Sequence, residues 1–512
     1  MTLLGAVACG HPLTAEAAAA ILRDGGNAFD AAVAAGFMAC VAEPVFASLG
    51  GGGYLLAATA NRPTQIHDFF VQTPRVCRPA QDLDFRPIVV DFGTAQQVFH
   101  AGLGAAAVPG MVRGLFTIQR HLCTMPMRAL LAPAITAARE GVVVNDLQAY
   151  ALRIIGPIYT LSAPARALFE SRTANGAMLQ AGELLRQPEL ADTLDALGRE
   201  GDRLFYEGEI AQRIAAQCRD GGGNLDVADL AAYRAIQRAP LQLGYRGAQL
   251  LTNPPPSCGG TLIAFALKLL EACTPRTCGF GSAKHLELLA QVMRLTDAAR
   301  READMDSPGA ILHPQYIQRF RATLRRAPCC ARGTTHISII DAAGNVASLS
   351  ISNGEGCGHL IPGTSVILNN MLGEEDLCPR GFHRWPTAAR LGSMMAPCLL
   401  RLPGRDIAFG SGGSNRIRTA LLQVIVNLID HAMPLAAAVT SPRIHLENDL
   451  LSVEGGFTEN EIARLAATVP IHKLWPERNL FFGGVHAVSR TRDELEGAGD
   501  PRRDGVARAV YH

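Results

Sequence analysis

The chain has 512 residues, 48% of them hydrophobic and 18% charged, and its formal net charge is +1. This much apolar material can fill a large core, and the near-zero charge without a clustered basic stripe excludes an electrostatic footprint for nucleic acid. We therefore expect a small-molecule partner. Because no Pro/Ser-rich linker, charge block or low-complexity tract divides the chain, one large composite domain is predicted.

The predicted helices come mostly before the predicted strands. Apolar spacing near 3.6 residues predicts helices at 13–25, 28–42, 127–140, 187–198, 208–218, 260–270 and 283–304. Pro133 is expected to kink or delay the third of them. Strands are predicted at 52–58, 248–251, 335–341, 346–352, 365–368, 398–402 and 406–409. Helices in front and strands behind suggest a layered fold.

The best-defined local element is a β-hairpin in the second half of the chain. Residues 336–340 alternate polar and apolar side chains, Gly344-Asn345 supplies a positive-φ turn, and residues 346–351 alternate again. The first strand of this hairpin begins at Thr334, directly after Gly333. Thr334 is therefore predicted to lie at a strand tip.

A threonine at this position can attack the peptide bond that precedes it. Attack of the Thr334 hydroxyl on the Gly333 carbonyl, an N-to-O acyl shift and hydrolysis would cut the chain and free the Thr334 α-amino group. That amine, with an ordinary pKa of about 7.7 to 8.0, can act as the general base for the hydroxyl. The alternative is that Thr334-Thr335 is simply favourable strand composition.

Neither a membrane segment nor a metal site is indicated. The longest apolar run, residues 31–42, is shorter than the roughly 20 residues that a membrane helix needs. The first residues lack the basic start and apolar stretch of a signal peptide, so a cytoplasmic location is expected. Thirteen cysteines, an odd number without dense spacing, favour reduced thiols. The histidines and cysteines show no ligand-pair spacing, so we predict no metal and no cofactor.

Nine short motifs, read in order along nearly the whole chain, give the sequence its likeness to a known family. Each motif alone is a weak signal, and the glycine runs lack the pattern of a nucleotide-binding loop. The ordered set resembles the gamma-glutamyltranspeptidase family of N-terminal-nucleophile hydrolases. The motifs are Gly25–Ala34, Leu49–Tyr54, Val108–Gly110, Asn253–Gly260, Thr334–His336, Pro362–Thr364, Leu368–Asn370, Gly410–Gly413 and Asp500–Arg502.

The resemblance implies an α+β fold, a four-layer αββα sandwich formed from two interleaved segments, 1–333 and 334–512, that together make one composite domain. It also implies roles for individual residues. Thr334 matches the nucleophile, and Ser352 matches a second hydroxyl that hydrogen-bonds it. Asn353 matches a substrate-binding asparagine, whereas composition alone would equally favour a turn here. Gly412 and Gly413 match the pair whose backbone N–H groups form an oxyanion hole.

The specificity residues depart from the family pattern. Where the family has an arginine that clamps the γ-glutamyl α-carboxylate, this chain has Phe70, which offers only an apolar wall. Where the family has two serines, only Ser393 remains, next to Gly392. Arg384 or Arg390 is a candidate for a relocated carboxylate clamp.

The acidic segment that would meet a substrate ammonium is longer here than in the family. Met371 stands where the family has a polar side chain, and the register of Glu374, Glu375 and Asp376 is ambiguous. We expect Glu375 or Asp376 to pair with a substrate ammonium, the alternative being a solvated acidic turn.

Three functions are compatible with this sequence. The first is a self-processed gamma-glutamyltransferase or glutathione hydrolase that transfers its acyl group to an acceptor amine or to water. The second is a related amidohydrolase or acylase with a different acyl specificity, which Phe70, Met371 and Gly392 favour. The third is an unprocessed binding protein without catalysis, which the retention of Thr334 and Ser352 argues against. The sequence favours the first and keeps the second open for the substrate.

Overall fold

Two stacked β-sheets form the centre of the protein. The structure is a computed structural model, and it describes residues 2–91, 96–273, 275–302, 308–321, 334–378, 380–447 and 449–512. Gly333, on one side of the predicted cleavage point, lies outside the described residues, whereas Thr334 lies within them.

Helices cover the outer faces of these sheets. None of the described helices combines the length and the apolar composition that a membrane crossing needs. The helices are α1 Pro12–Arg23, α2 Ala28–Ala42, α3 Met111–Leu122, α4 Met127–Glu140, α5 Asp146–Tyr159, α6 Ala163–Phe169, α7 Pro188–Glu200, α8 Arg203–Tyr206, α9 Glu209–Gly221, α10 Val227–Ala232, α11 Gly259–Leu270, α12 Pro275–Cys278, α13 Ala283–Glu302, α14 Pro314–Arg321, α15 Arg416–Ile429, α16 Leu435–Thr440 and α17 Glu459–Ala466.

The strands are β1 Leu3–Cys9, β2 Gly52–Thr59, β3 Arg62–Phe69, β4 Arg86–Asp91, β5 Gln96–Ala101, β6 Val142–Val143, β7 Leu184–Leu185, β8 Ile236–Arg238, β9 Leu241–Tyr245, β10 Ala248–Thr252, β11 Thr335–Asp341, β12 Val346–Ser352, β13 Leu360–Ile361, β14 Val366–Ile367, β15 Cys398–Leu402, β16 Arg405–Gly412, β17 Ile444–Glu447, β18 Leu450–Val453, β19 Ile471–Leu474, β20 Gly484–Arg490, β21 Leu495–Ala498 and β22 Val506–Tyr511. A seven-stranded sheet has the order β22-β1-β11-β12-β2-β3-β8, and a six-stranded sheet has the order β21-β20-β16-β15-β10-β9. All the strand pairs in these two sheets are antiparallel.

Alternation along the central strands creates the layers. In β1, Val7 and Cys9 belong to one apolar cluster with α1, α2, α3 and α4. The neighbouring residues Ala6 and Ala8 belong to a second cluster with the six-stranded sheet, α11 and α15. Because successive strand residues point to opposite faces, the seven-stranded sheet lies between helices and the other sheet. The predicted αββα sandwich is confirmed.

Helix α2 is the most deeply buried helix of the site region, since every one of its residues is buried. Its start is fixed by a capping box in which the Asn27 side chain accepts from the Phe29 and Asp30 amides, and Asp30 accepts from the Asn27 amide. Such a box satisfies amide donors that the first turn otherwise leaves unpaired. The helix ends at its C-cap, Glu43, and this acid is buried in the interior.

Most of the predicted elements agree with the structure, although several observed elements throughout the chain, such as α3, α5, α15 and β20, were not predicted. Residues 28–42, 127–140, 335–341, 346–352 and 398–402 have the predicted bounds. The expected delay at Pro133 is wrong, because α4 begins at Met127 with the proline inside it. The prediction that helices come first along the chain and strands follow is also incomplete, because β1 precedes α1. Strands β1 and β22 were not predicted, although both pair within the seven-stranded sheet.

The polar face of β11 points into the protein. All residues of β11 are buried, and His336 lies between the sheets with its Nδ1 2.7 Å from the Ser350 hydroxyl and its Nε2 2.9 Å from the Ser338 hydroxyl. Burial lowers the pKa of His336 well below its usual value, so the ring is neutral. A Cβ atom at Gly410 in β16 would overlap this ring. The glycine therefore sets how closely the two sheets approach.

We expect Gly410→Ala to lower the free energy of unfolding by about 2 to 3 kcal/mol, because the added methyl must displace a hydrogen-bonded imidazole in a packed core. The measurement is the urea midpoint of the purified variant. Gly244→Ala in β9 is the matched control, since a Cβ atom there meets nothing within 4 Å. Equal midpoints for the two variants would contradict this account of the sheet spacing.

Candidate active site

Thr334 and Ser352 come together where β11 begins and β12 ends. The strand register pairs Thr335 with Ile351, so one further step sets Thr334 opposite Ser352. Both residues are 4% exposed, and both line a small cavity of about 20 Å³. We call this cavity the Thr334 pocket. The sequence placed Thr334 at a strand tip, and the structure agrees.

The Thr334 pocket has a mixed apolar and polar wall. Phe70 and Ser393, two of the predicted substrate-binding residues, are part of it. Glu374 is buried and also lines the pocket. The complete lining is Phe70, Thr334, Ser352, Met371, Glu374, Asp376, Leu377, Ser393, Met394, Met395, Ser414 and Ile417.

Gly412 and Gly413 lie beside Thr334 at the end of β16. A Cβ atom at Gly412 would overlap the Thr334 carbonyl oxygen, so the absence of a side chain allows the two backbones to touch. Gly413 has a φ of 121°, a value that residues with side chains rarely adopt. Gly412 of the predicted oxyanion-hole pair is thus next to Thr334, neither glycine is among the residues that line the pocket, and their role stays a prediction.

Asn353 is buried but does not line the Thr334 pocket. Its side-chain amide is fully enclosed and has no hydrogen-bond partner among the described residues. A buried amide without a partner costs free energy. The predicted contact between Asn353 and a substrate stays a prediction.

Two acids of the acidic segment line the Thr334 pocket, Asp376, which is one of the two expected, and Glu374. Asp376 is held by Arg300, whose Nη2 is 3.1 Å from Oδ1, and by the Asn415 amide, whose Nδ2 is 2.9 Å from Oδ2. Glu375 is exposed and is not a lining residue. The expected contact of Glu375 or Asp376 with a substrate ammonium stays a prediction.

Phe70 is an apolar wall, as the sequence predicts. Its ring stacks on Tyr54 at 5.5 Å between centroids. The carbonyl oxygen of Phe70 accepts from the Tyr233 hydroxyl at 2.7 Å and from the Arg390 guanidinium. These hydrogen bonds hold the Phe70 backbone in place. The Phe70 side chain lines the Thr334 pocket.

Arg390 is not available as a carboxylate clamp. Its guanidinium donates to the Phe70 carbonyl and the Tyr233 hydroxyl and to the Arg234 carbonyl at 2.6 Å. Its Nε also lies 3.5 Å from the buried carboxylate of Asp68. Arg384, the other candidate, is exposed and lines a second cavity.

That second cavity, which we call the large cavity, has a volume of about 410 Å³. It shares Asp376, Leu377, Ser393 and Met394 with the Thr334 pocket, so the two spaces adjoin. Most of the rest of its wall is apolar. The remaining lining is Thr73, Pro255, Pro256, Cys258, Cys378, Arg380, Gly381, Arg384, Trp385, Pro386, Ala389, Arg390, Leu391 and Gly392.

Comparison with known proteins identifies the family. Residues 14–510 match the Gamma-glutamyltranspeptidase family model. This chain belongs to the gamma-glutamyltranspeptidase family. It is 31% identical to the glutathione hydrolase proenzyme of Escherichia coli strain K12, over 94% of this chain and 87% of that protein. It is 32% identical to the acylase ACY 1 proenzyme of Pseudomonas sp. strain V22, over 99% and 93%.

The solved structures agree on the fold. The cephalosporin acylase from Bacillus halodurans superposes with a TM-score of 0.85 at 24% identity, covering 100% of this chain and 96% of that chain. At this identity the likeness concerns the fold. The family membership and this fold make the protein an enzyme of the N-terminal-nucleophile hydrolase superfamily, which hydrolyses amides or transfers their acyl groups.

Other expectations concern thiols and metals. The cysteines within the described ranges are free thiols, and several of them are buried. Cys258 lines the large cavity. Within the described ranges, His, Cys, Asp and Glu side chains form no group of three or more that could hold a metal ion.

Sequence reasoning missed Glu43 in this gamma-glutamyltranspeptidase family member. Its Oε2 accepts from the Thr335 hydroxyl at 2.8 Å, and its Oε1 accepts from the Thr14 hydroxyl at 3.0 Å. Burial raises the pKa of Glu43 to about 7, against the effects of these hydrogen bonds and of Arg503. The available signal was an isolated acid directly after a long apolar helix, a place where a charge is costly unless it is paired.

The raised pKa of Glu43 makes stability depend on pH. The unfolded chain loses this proton near pH 4.5, whereas the folded chain holds it until about pH 7. The stabilisation of the folded state by the proton on Glu43 is complete below the pKa of the unfolded chain. It is lost as pH rises through the pKa of the folded chain, a change in unfolding free energy on the order of 3 kcal/mol.

Glu43→Gln cannot titrate, so its unfolding free energy relative to wild type should rise by about 2 to 3 kcal/mol between pH 5 and pH 8. Urea unfolding at several pH values measures this difference. Glu200→Gln on the exposed end of α7 is the control and should follow wild type. Parallel curves for Glu43→Gln and wild type would show that Glu43 is ionised throughout.

Proposed function

We propose that the chain is a self-processing amide hydrolase that uses Thr334 as an N-terminal nucleophile. The single observation that carries this proposal is the position of Thr334, which starts a buried strand, faces Ser352 and lines a pocket. A hydroxyl on a rigid strand is held more precisely than one on a loop. The membership of the family and the proenzyme relatives support the same conclusion.

In the processing step, the Thr334 Oγ attacks the Gly333 carbonyl carbon, and the Gly333–Thr334 C–N bond breaks as the ester forms. The proton of the hydroxyl goes to the departing nitrogen. Water then hydrolyses the ester and leaves a carboxylate on Gly333 and a free α-amine on Thr334. Segments 1–333 and 334–512 would remain together as a heterodimer, because β1 and β2 come from the first and β11, β12 and β22 from the second.

In the catalytic cycle, the Thr334 amine takes the proton of the Thr334 hydroxyl as Oγ attacks the substrate carbonyl. The same proton goes to the leaving amine when the amide bond breaks, and an acyl ester remains. Water or an acceptor amine then releases the acyl group. Ser352 would orient Oγ, and the amides of Gly412 and Gly413 would stabilise the oxyanion.

We further propose that the acyl group differs from γ-glutamyl. A γ-glutamyl group carries an α-carboxylate, and Phe70 offers it no charge. Arg390 is occupied by Asp68, Phe70 and Tyr233, and Asp376 is neutralised by Arg300. The adjoining large cavity is mainly apolar, which favours a larger and less charged acyl group.

The γ-glutamyl amide is the second candidate. Glu374 and Ser393 face the Thr334 pocket, where they could meet an ammonium and a carboxylate. Arg384 lines the large cavity and is the arginine that could supply a relocated clamp. Similarity to a glutathione hydrolase supports this candidate, whereas similarity to an acylase supports the first.

Processing is tested by intact mass spectrometry of purified protein. Wild type and Thr334→Ser should give two fragments that break between residues 333 and 334, and Thr334→Ala should give one. The kcat of Thr334→Ala should fall by at least about 10⁴-fold, since nucleophile and base are lost together. Thr335→Val is the matched control and should be cleaved at the same bond, because its hydroxyl faces Glu43. An uncleaved, stable wild-type chain would overturn the proposal.

Acyl preference is tested with p-nitroanilides of γ-glutamyl, glutaryl, 4-aminobutyryl and butyryl, which share one four-carbon acyl backbone. They differ only in the α-amine and the α-carboxylate. Without an arginine clamp, the kcat/KM for the butyryl amide should lie within about tenfold of that for the γ-glutamyl amide. In a site that binds the substrate charges, the kcat/KM for the butyryl amide should be lower by a factor of about 10² or more, because the polar groups of the site would be left unpaired.

A strong γ-glutamyl preference would favour the second candidate and would locate the clamp. If Arg384 is that clamp, Arg384→Ala raises the KM for γ-glutamyl and glutaryl substrates and leaves the KM for butyryl and 4-aminobutyryl unchanged. The comparison with Arg390→Ala separates binding from folding, because loss of Arg390 removes an ion pair to buried Asp68 and should lower stability instead.

A further inference from the structure

Arg503 is a buried cation that contacts the residue proposed as nucleophile. It is 5% exposed, and its Nη1 donates to the Thr334 carbonyl oxygen at 3.2 Å. Its guanidinium carbon lies 5.4 Å from the centre of the Phe46 ring. Its Nε is buried without a hydrogen-bond partner among the described residues. Burying a guanidinium with so few contacts is costly, and such a cost calls for a functional explanation.

Two neighbouring arginines, Arg443 and Arg502, are neutralised by buried carboxylates, and Arg503 is not. Arg443 Nη2 lies 2.7 Å from Asp500 Oδ2, and Arg502 Nη1 lies 3.1 Å from Asp500 Oδ1. Arg502 also pairs with the buried carboxylate of Glu454. Across the described ranges, no carboxylate lies within ion-pair distance of Arg503. The charge of Arg503 is therefore directed at Thr334 and not at an acid.

Glycines open the space that Arg503 occupies. A Cβ atom at Gly484 would lie 2.5 Å from the Arg503 Cδ. A Cβ atom at Gly412 would lie 3.1 Å from the Arg503 Nη1. These two glycines face each other in the β16–β20 register. The paired strands thus leave a channel through which the arginine reaches the carbonyl group of Thr334.

We propose that Arg503 is a positioning residue that fixes the Thr334 peptide group and keeps the liberated Thr334 amine in its neutral, proton-accepting form. This inference rests on the proposed role of Thr334 as an N-terminal nucleophile. The first effect is geometric, since the hydrogen bond to the Thr334 carbonyl restrains the residue that carries both nucleophile and base. The second effect is electrostatic, since a nearby cation disfavours the protonated amine.

The electrostatic effect is large enough to measure. The amine and the carbonyl oxygen belong to one residue, so covalent geometry places the guanidinium within about 7 Å of the amine. At that distance and an effective dielectric constant of about 20, a unit charge moves a pKa by about 1 to 2. The pKa of Arg503 itself is lowered to about 10, first by burial and then by Arg416, and the side chain therefore remains charged at neutral pH.

Other charged and titratable groups also face this region. Arg416 at the start of α15 adds positive charge, and burial lowers the pKa of His486 in β20 to about 4, so that ring is neutral. On the other side, Asp500 and Glu43 attract the Arg503 charge. Across the pocket, Asp376 is paired with Arg300, and Glu374 is a second acid in the lining.

The test is the pH dependence of kcat/KM for wild type, Arg503→Gln, Arg503→Lys and Arg502→Met, measured with the best substrate of the panel on enzyme shown to be cleaved. The acid limb of this profile reports the free enzyme's base. We expect it to move to higher pH by about one to two pH units in Arg503→Gln. In Arg503→Lys, which keeps the charge, it should stay near wild type. Arg502→Met is the matched structural control and should lose stability without moving the limb.

An unmoved acid limb in cleaved Arg503→Gln would overturn the proposal. Where Arg503→Gln stays uncleaved or does not fold, Arg503→Lys decides. A cleaved Arg503→Lys enzyme whose acid limb lies at the same pH as that of wild type supports the proposal. An uncleaved Arg503→Lys chain, or an acid limb that moves by as much as about one pH unit, overturns it. Failure of the proposed function is recognised separately, because wild type itself would then be uncleaved or inactive on every amide.

Discussion

The close approach of β11 to β16 is the constraint on which the site depends. Two positions on β16 are glycines. A side chain at either position would overlap atoms of β11 or of Thr334 directly before it. Gly410 leaves room for the His336 ring, and Gly412 leaves room for the Thr334 carbonyl. The two sheets are therefore in close contact at the strand end next to Thr334. A strand packed on both faces has little freedom, so the hydroxyl of Thr334 is held by the whole sandwich and not by a loop.

This packing requires an interior that is partly polar. His336, Ser338 and Ser350 bind one another between the sheets, and Glu43 reaches Thr335 from the end of α2. Buried polar groups are tolerated when they are hydrogen-bonded, and a satisfied network specifies one arrangement more strictly than apolar contacts do. The residues that follow Thr334 in the chain are thus anchored on both faces of the sheet, which keeps the strand start in register with Ser352.

Charge is distributed unevenly around Thr334. On the side of the pocket, two of the cations are already bound, Arg300 by Asp376 and Arg390 by Asp68, whereas Arg384 lines the large cavity farther out. On the other side, Arg503 has no carboxylate at ion-pair distance among the described residues and points at the Thr334 carbonyl. One buried positive charge is therefore directed at the residue that we propose as the nucleophile. This distribution suits an enzyme whose acyl group is bound chiefly by shape and apolar contact.

The sequence by itself determined the hairpin, its bounds and the position of Thr334, because alternation with a period of two and a positive-φ turn are local properties. It also determined the family, through the order of its motifs. Only the tertiary structure decided the partners of the charged residues. Thr335 and Glu43 are 292 positions apart, and Arg503 and Thr334 are 169 apart. No local pattern encodes such contacts, since they arise from how sheets and helices pack. For the same reason the sequence did not show that Glu374 lies inward beside Asp376, or that Arg390 contacts Asp68 and the Phe70 carbonyl.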